Sequence, residues 1–433
     1  MEQSPSYRLR TAAITVVIGI IATVTLGLTV LNPSPTELSA PHALVTLPEF
    51  SSAIQDMGGP FYQVPAGMPG NLAPGTVIKS EPIKEAPTGI TAKRLMYVSQ
   101  TADGKNNVVT GMFVTRTSPA PGPNGRPLVG VAHGTTGNAP GCGISEAPFT
   151  RGTTGFGTWD QITSGLVGAG FAVVATDYAN LGVPATPDYI TMEGEAHDVL
   201  NSMRAAYRLA PDQLDTSKAA VLGHSQGGHA ALSTAYVAPD YAPDLAIRGT
   251  AALAPGLFPP APLLVKFVEQ DPDQDASSFL AFISYVVDSW SDNNPGELQL
   301  SDVFTPKGVA AAKVGRTKCL PETAEAFKGP KSEFVHTGVD ESSILKLAQQ
   351  NFPLYHQYAT PLLIQQGLED TTVVPGVNLA AARTFCLQGS DVELQTYPGD
   401  VHSSLLYTGA PQAVDWLRDR FENKPTTPSC GGL

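Results

Sequence analysis

The chain is short of charge. Asp, Glu, Lys and Arg make up 15% of its 433 residues, against roughly 25% in an average globular protein, and no run of Lys or Arg is dense enough to track a phosphate backbone. With 39 acidic against 26 basic residues, a net charge of −13 argues against a nucleic-acid partner. Metal-ligand spacings are missing as well. There is no His-Glu-x-x-His run, and the four cysteines (Cys142, Cys319, Cys386 and Cys430) lie far apart in sequence, so neither a metal nor another cofactor is implied. Gly (42) and Pro (38) together make about 18%, below the ~25–30% of low-complexity sequence but enough for many tight turns. A hydrophobic fraction of 42% supplies a sizeable core and rules out disorder for most of the chain.

What is present begins with a membrane signal. Arg8 and Arg10 precede an uncharged apolar stretch from Thr11 to Leu31, which as a helix spans about 31 Å, the thickness of a bilayer core. Residues 1–31 therefore read as a signal anchor or a signal peptide, with Leu38-Ser39-Ala40 as a weak cleavage site. Either way the arginines stay inside and the rest is exported, secreted or held on the outer face of the membrane through residues 11–31. Residues 32–48, rich in Pro, Ser and Ala, form a linker, and 49–433 form the acidic exported body. An even number of cysteines in an exported chain points to two disulfides. Of the three pairings, we favour Cys386 with Cys430, tying down the C-terminal tail, and Cys142 with Cys319.

The order of elements gives the fold class. Arg94–Ala102 and Asn107–Arg116 are β-rich runs joined by an Asp103-Gly104 turn, a hairpin signal. Short, almost continuous apolar runs follow at 127–133, 171–177, 218–224, 246–254, 361–366 and 391–397, as expected of strands buried on both faces. Helical stretches separate them at 159–168, 192–209, 227–237, 377–387 and 411–421. This alternation means βαβ crossovers and a mostly parallel sheet with helices on both faces. About a hundred residues, 257–358, interrupt the rhythm before the penultimate strand. They read as a cap, or lid, over the strand ends where open α/β sheets bind ligands, with apolar walls from Leu263–Val268 and Phe279–Val287.

Gly223-His224-Ser225-Gln226-Gly227 closes one of these runs and opens a helix, the context in which G-x-S-x-G makes a strained elbow that exposes a serine hydroxyl. A serine needs an imidazole to take its proton and a carboxylate to fix the imidazole tautomer. Downstream, Gly367-Leu368-Glu369-Asp370 follows the penultimate strand and Gly399-Asp400-Val401-His402 the last. We assign Ser225 as nucleophile, Asp370 as acid and His402 as base. Glu369 is the competitor for the acid, and Asp400 reads as a turn residue. The oxyanion amides are assigned to Gln226, which follows the nucleophile, and to Thr135 in His133-Gly134-Thr135-Thr136-Gly137, with Thr136 as its alternative. His224 and His229 read as packing residues, His197, His336 and His356 as solvated or core residues, and Asp177-Tyr178 as pocket wall or packing.

With these motifs in hand, the chain resembles the secretory lipase family of α/β-hydrolases, the yeast lipase A type. Phe61-Tyr62-Gln63-Val64-Pro65 and the segment Pro74 to Ile83 resemble that family's opening, so the similarity spans about residues 50 to 425. The long N-terminal apolar stretch and His133-Gly134-Thr135-Thr136-Gly137 depart from the family pattern. The resemblance implies an α/β-hydrolase fold and hydrolysis of lipid or other carboxylic esters, with a lid over an acyl-binding tunnel. The leading function is thus an exported lipase or esterase working through an acyl-enzyme. Acyl transfer to another alcohol by the same triad, or binding on a catalytically dead hydrolase scaffold, are the alternatives.

Overall fold

The computed structural model describes residues 59–120, 122–257, 271–337, 339–355 and 357–432. The N-terminal apolar stretch, the linker, Leu263–Val268 and His356 lie outside the described residues. Nine strands form one sheet: β1 (Val77–Pro82), β2 (Ile90–Gln100), β3 (Asn106–Arg116), β4 (Arg126–Ala132), β5 (Ala172–Thr176), β6 (Leu214–His224), β7 (Ile247–Leu253), β8 (Leu362–Gly367) and β9 (Val392–Tyr397). Their spatial order is β1-β2-β3-β5-β4-β6-β7-β8-β9. β1, β2 and β3 run antiparallel, and β3 meets β5 antiparallel; every pairing from β5 through β4 to β9 is parallel.

Side-chain alternation explains why the central strands are apolar throughout. Ala220 and Leu222 of β6, with Val129, Val131, Val173 and Ala175, pack against Ile162 and Leu166 on one face and against Val414, Leu417 and Phe421 of the helix Ala410–Phe421. Their neighbours Ala219 and Val221, with Leu128, Ala172 and Val174, face the other way. There they meet Val199, Leu200 and Met203 of the helix Met192–Leu209 and Ala230 and Ala231 of the helix Gln226–Tyr241. A period of two on a sheet covered on both sides leaves no face for polar residues.

β1 is a strand that the sequence pattern does not announce. Lys79, Ser80 and Glu81 break its apolar run, and it survives at the sheet edge, half-buried, by pairing with β2. The helix expected at 159–168 starts earlier, at Thr154, where the Thr153 hydroxyl accepts from the Phe156 amide, and passes through a π turn at Trp159–Thr163. The insertion between β7 and β8 is helical: Ser277–Asn293, Leu300–Val303, Pro306–Val314, Leu320–Ala326 and Glu341–Asn351. Its aromatic side chains Tyr285, Trp290, Phe304, Phe327 and Phe334 share one core with Leu232 and Ala235 of the body and with Leu362 and Ile364 of β8. At roughly 1.5–3 kcal/mol for each large apolar side chain buried, that core binds the cap to the sheet. Two disulfides complete the framework, Cys142–Cys319 and Cys386–Cys430.

Candidate active site

β6 ends at His224 and the next helix begins at Gln226, so Ser225 alone makes the turn, with φ 61° and ψ −120°. Such a backbone is costly for a residue with a side chain, and the flanking glycines are what permit it. A Cβ on Gly223 would stand 2.0 Å from the Gly227 carbonyl oxygen, and one on Gly227 would stand 1.9 Å from that of Ala132. The turn is pinned by the Ser225 amide on the Leu253 carbonyl (3.0 Å) and by the amides of Gly256 (2.8 Å) and His229 (3.1 Å) on the Ser225 carbonyl.

The loops after β8 and β9 bring Asp370 and His402 to this serine. His402 Nε2 lies 2.9 Å from Ser225 Oγ, and its Nδ1 lies 2.7 Å from Asp370 Oδ2. The second carboxylate oxygen, Oδ1, accepts from the Thr372 and Val373 amides, both at 2.8 Å. Burial pushes the Asp370 carboxyl up, but the His402 hydrogen bond and charge, with those amides, outweigh it and hold the group below the ordinary carboxylate range. Asp370 is therefore ionised at neutral pH. Glu369 is exposed, and among the described residues only its amide is engaged, on the Asp400 carbonyl. Asp400 takes the Ser404 and Thr408 hydroxyls (2.7 and 2.5 Å) and so ties down the turn before the short helix Leu405–Thr408.

The loop after β4 passes beside the serine. A Cβ on Gly134 would stand 3.7 Å from Ser225 Cβ, and Gly134, Thr135 and Ser225 are partly accessible where their neighbours His133, Thr136, His224 and Gln226 are buried. Among the described residues neither the Thr135 nor the Gln226 amide has a backbone partner. The Thr135 hydroxyl sits 2.7 Å from the Tyr189 hydroxyl. Thr136 is turned into the cap: its carbonyl accepts from the Leu320 amide at 2.9 Å, next to the Gly137–Cys319 bridge. The Cys142–Cys319 bond thus fastens this loop to the cap.

Asp177 is a structural knot. Its carboxylate accepts from the Thr110 hydroxyl (2.5 Å), the Ser145 hydroxyl (2.5 Å) and the Ser145 amide (2.8 Å), while the Tyr178 hydroxyl donates to the His133 carbonyl. Two histidines read as packing residues have specific polar partners. His229 sits between Glu195 (2.7 Å) and the Asn351 carbonyl of the cap helix (2.8 Å), and Glu195 also receives the Gln226 side-chain amide (2.8 Å). His224 touches the backbone of His402. Nothing in the local sequence around Glu195 announces this contact, because the three segments meet only in the fold. His197 stacks on Tyr241 with ring centroids 3.9 Å apart, and His336 lies in the cap, its amide on the Val303 carbonyl. Among the described residues no cluster of His, Cys, Asp and Glu could hold a metal.

A serine on a strand-to-helix elbow, a carboxylate and an imidazole, in this chain order on a sheet with a cap before β8, invite comparison with known proteins. The sequence pattern of the secretory lipase family matches residues 153–429. The chain belongs to the secretory lipase family. It has the α/β-hydrolase fold: Candida antarctica lipase A, solved in its closed state, superposes with a TM-score of 0.70 at 19% identity, covering 88% of this chain and 90% of that one. A secreted triacylglycerol lipase of Malassezia restricta is 25% identical over 388 residues, 84% of this chain and 73% of its own length. A Mycobacterium tuberculosis relative, named a probable inactive lipase, is 25% identical over 400 residues, 85% of this chain and 83% of its own. As a secretory lipase, the chain is an ester hydrolase of the lipase and esterase type, and lipid or other esters are its substrate class.

Proposed function

We propose that the enzyme hydrolyses esters through an acyl-enzyme on Ser225, with His402 as general base and then general acid, Asp370 as the carboxylate that fixes the His402 tautomer, and the Gln226 and Thr135 amides as oxyanion donors. The observation that carries this reading is the unbroken line Ser225 Oγ to His402 Nε2 to Asp370 Oδ2, at 2.9 and 2.7 Å. Ser225 Oγ attacks the ester carbonyl while its proton passes to Nε2. The imidazolium so formed is stabilised by the ionised Asp370 and returns the proton to the leaving alcohol. Water then repeats the sequence on the acyl-enzyme. The Gln226 and Thr135 amides, which have no backbone partner among the described residues, support their reading as the donors that an oxyanion needs.

The described part of the insertion before β8 is bonded to the loop after β4 that runs beside Ser225, through the Leu320 amide on the Thr136 carbonyl and the Cys142–Cys319 disulfide, and this supports acyl chains of medium length as substrates. The Thr11–Leu31 stretch supports export, with retention at the outer face of the membrane if it is uncleaved. A fluorophosphonate probe tests the central claim: one adduct on Ser225 is expected, lost in Ser225→Ala together with ester turnover. Labelling elsewhere, or undiminished turnover by Ser225→Ala, would refute it.

A further inference from the structure

The residue before the nucleophile is a buried histidine that the triad does not use. His224 Nε2 lies 3.0 Å from the backbone carbonyl of His402, and the two rings lie 4.5 Å apart. A carbonyl only accepts, so Nε2 carries the proton. Burial, then the neighbouring His402, push the His224 imidazole down to about 3, against smaller opposing effects from the carbonyl hydrogen bond and Asp370. The titratable groups facing it are thus His402 and Asp370, with Gly134 on the side of Nδ1. His224 is a neutral donor throughout the working pH range.

This contact closes a ring. Ser225 is bonded to His224, His224 holds the His402 carbonyl, and the His402 ring holds Ser225 Oγ. Asp370 fixes which nitrogen of His402 is protonated and orients the ring through Nδ1, and the Glu369 amide on the Asp400 carbonyl joins their two loops to each other, but neither contact reaches β6. β6 is a central strand and β9 an edge strand, so the loop carrying His402 needs a tie to the strand that presents the serine. We propose that His224 is a positioning residue for the proposed triad: its Nε2–H anchors the His402 backbone and so sets the Ser225–His402 distance. Because His224 stays neutral while His402 becomes an imidazolium, the anchor adds no repulsion to the charge that forms in catalysis.

The inference rests on the triad reading and is tested beside it. His224→Leu removes the donor and leaves the His402 carbonyl unpaired, whereas His224→Gln offers an amide N–H at similar reach. Misplacement of a catalytic group by about 1 Å costs up to ~10²-fold. His224→Leu is therefore expected to lower kcat and the rate of fluorophosphonate labelling about 10- to 100-fold with KM changed less than about threefold, and His224→Gln to restore kcat to within about fivefold of the parent. A kcat for His224→Leu within about twofold of the parent, or no recovery in His224→Gln, would overturn the proposal. Nitrogen-15 NMR of the unmutated protein decides even if His224→Leu does not fold: a neutral His224 protonated on Nε2 between pH 5 and 8 is expected, and protonation on Nδ1 would overturn it. Full turnover by Ser225→Ala would sink the triad reading itself, while an inactive Ser225→Ala beside a fully active His224→Leu would sink this inference alone.

Discussion

Asp370→Asn isolates the carboxylate's role with almost no change of shape, and the structure fixes how the asparagine must sit. Two backbone amides, from Thr372 and Val373, donate to Asp370 Oδ1 at 2.8 Å, and only an oxygen can accept from both. The asparagine carbonyl therefore keeps that place, and its NH₂ is turned onto His402 Nδ1, where the carboxylate oxygen stood at 2.7 Å. A donor facing Nδ1 forces the other tautomer, with the proton on Nε2 facing Ser225, so the imidazole can no longer accept the serine proton. The loss expected for a wrong tautomer is roughly 10⁴ in kcat, or about 5 kcal/mol of transition-state stabilisation. KM should hold, because no substrate contact is removed. Glu369→Gln is the internal control: that side chain lies in solvent, and kcat should stay within about twofold. The assay is steady-state hydrolysis of a p-nitrophenyl ester. A loss below about tenfold in Asp370→Asn, or a larger loss in Glu369→Gln, would refute the tautomer argument and reopen the choice of acid.

Cys430→Ser opens a bond that closes a segment of 44 residues, worth at most about 4 kcal/mol in the chain-entropy account; a fall in thermal midpoint with unchanged kcat is expected, and an unchanged midpoint would show the tail held by other contacts. Glu146 tests linkage: its carboxyl is pushed up to about 7 by burial and then by Asp177, against Arg94, so the folded state binds the proton more tightly and stability falls as pH rises from about 4.5 to 7. Glu146→Gln should stabilise the protein at pH 8 by an amount on the order of 2–3 kcal/mol and hardly at all at pH 4.5, and equal thermal shifts at both pH values would exclude a raised carboxyl. Across p-nitrophenyl esters from C2 to C16, each acyl CH₂ buried contributes about 0.8 kcal/mol, so kcat/KM should peak beyond about C6, whereas a maximum at C2 with steady decline would rule out an apolar acyl site under the cap.

The parts of the site that the sequence makes legible are those whose chemistry is local. Gly223 and Gly227 flank Ser225 because a Cβ at either position would collide with backbone about 2 Å away, and that constraint writes itself into five consecutive residues. Asp370 and His402 are legible for a related reason: each follows an apolar run, and strand ends are where an open sheet presents its chemistry. The buried crossover strands stand out because two covered faces demand unbroken apolar runs, whereas β1 is lost because an edge strand with Lys79, Ser80 and Glu81 has no such demand.

What escapes the sequence is whatever depends on distant segments meeting. Glu195, Gln226, His229 and Asn351 come from two body helices and the cap, and nothing in any one of the three segments predicts their shared hydrogen bonds. His224 is the sharper case. As a side chain between two small or polar residues it reads as filler, and its consequence appears only when the loop after β9 brings the His402 carbonyl to 3.0 Å. The motif that carries Ser225 thus also carries, one residue earlier, the side chain proposed to anchor the His402 loop. In this chain the second position of Gly223-His224-Ser225-Gln226-Gly227 meets the loop that returns after β9, a contact that the glycine sterics of the elbow do not themselves call for.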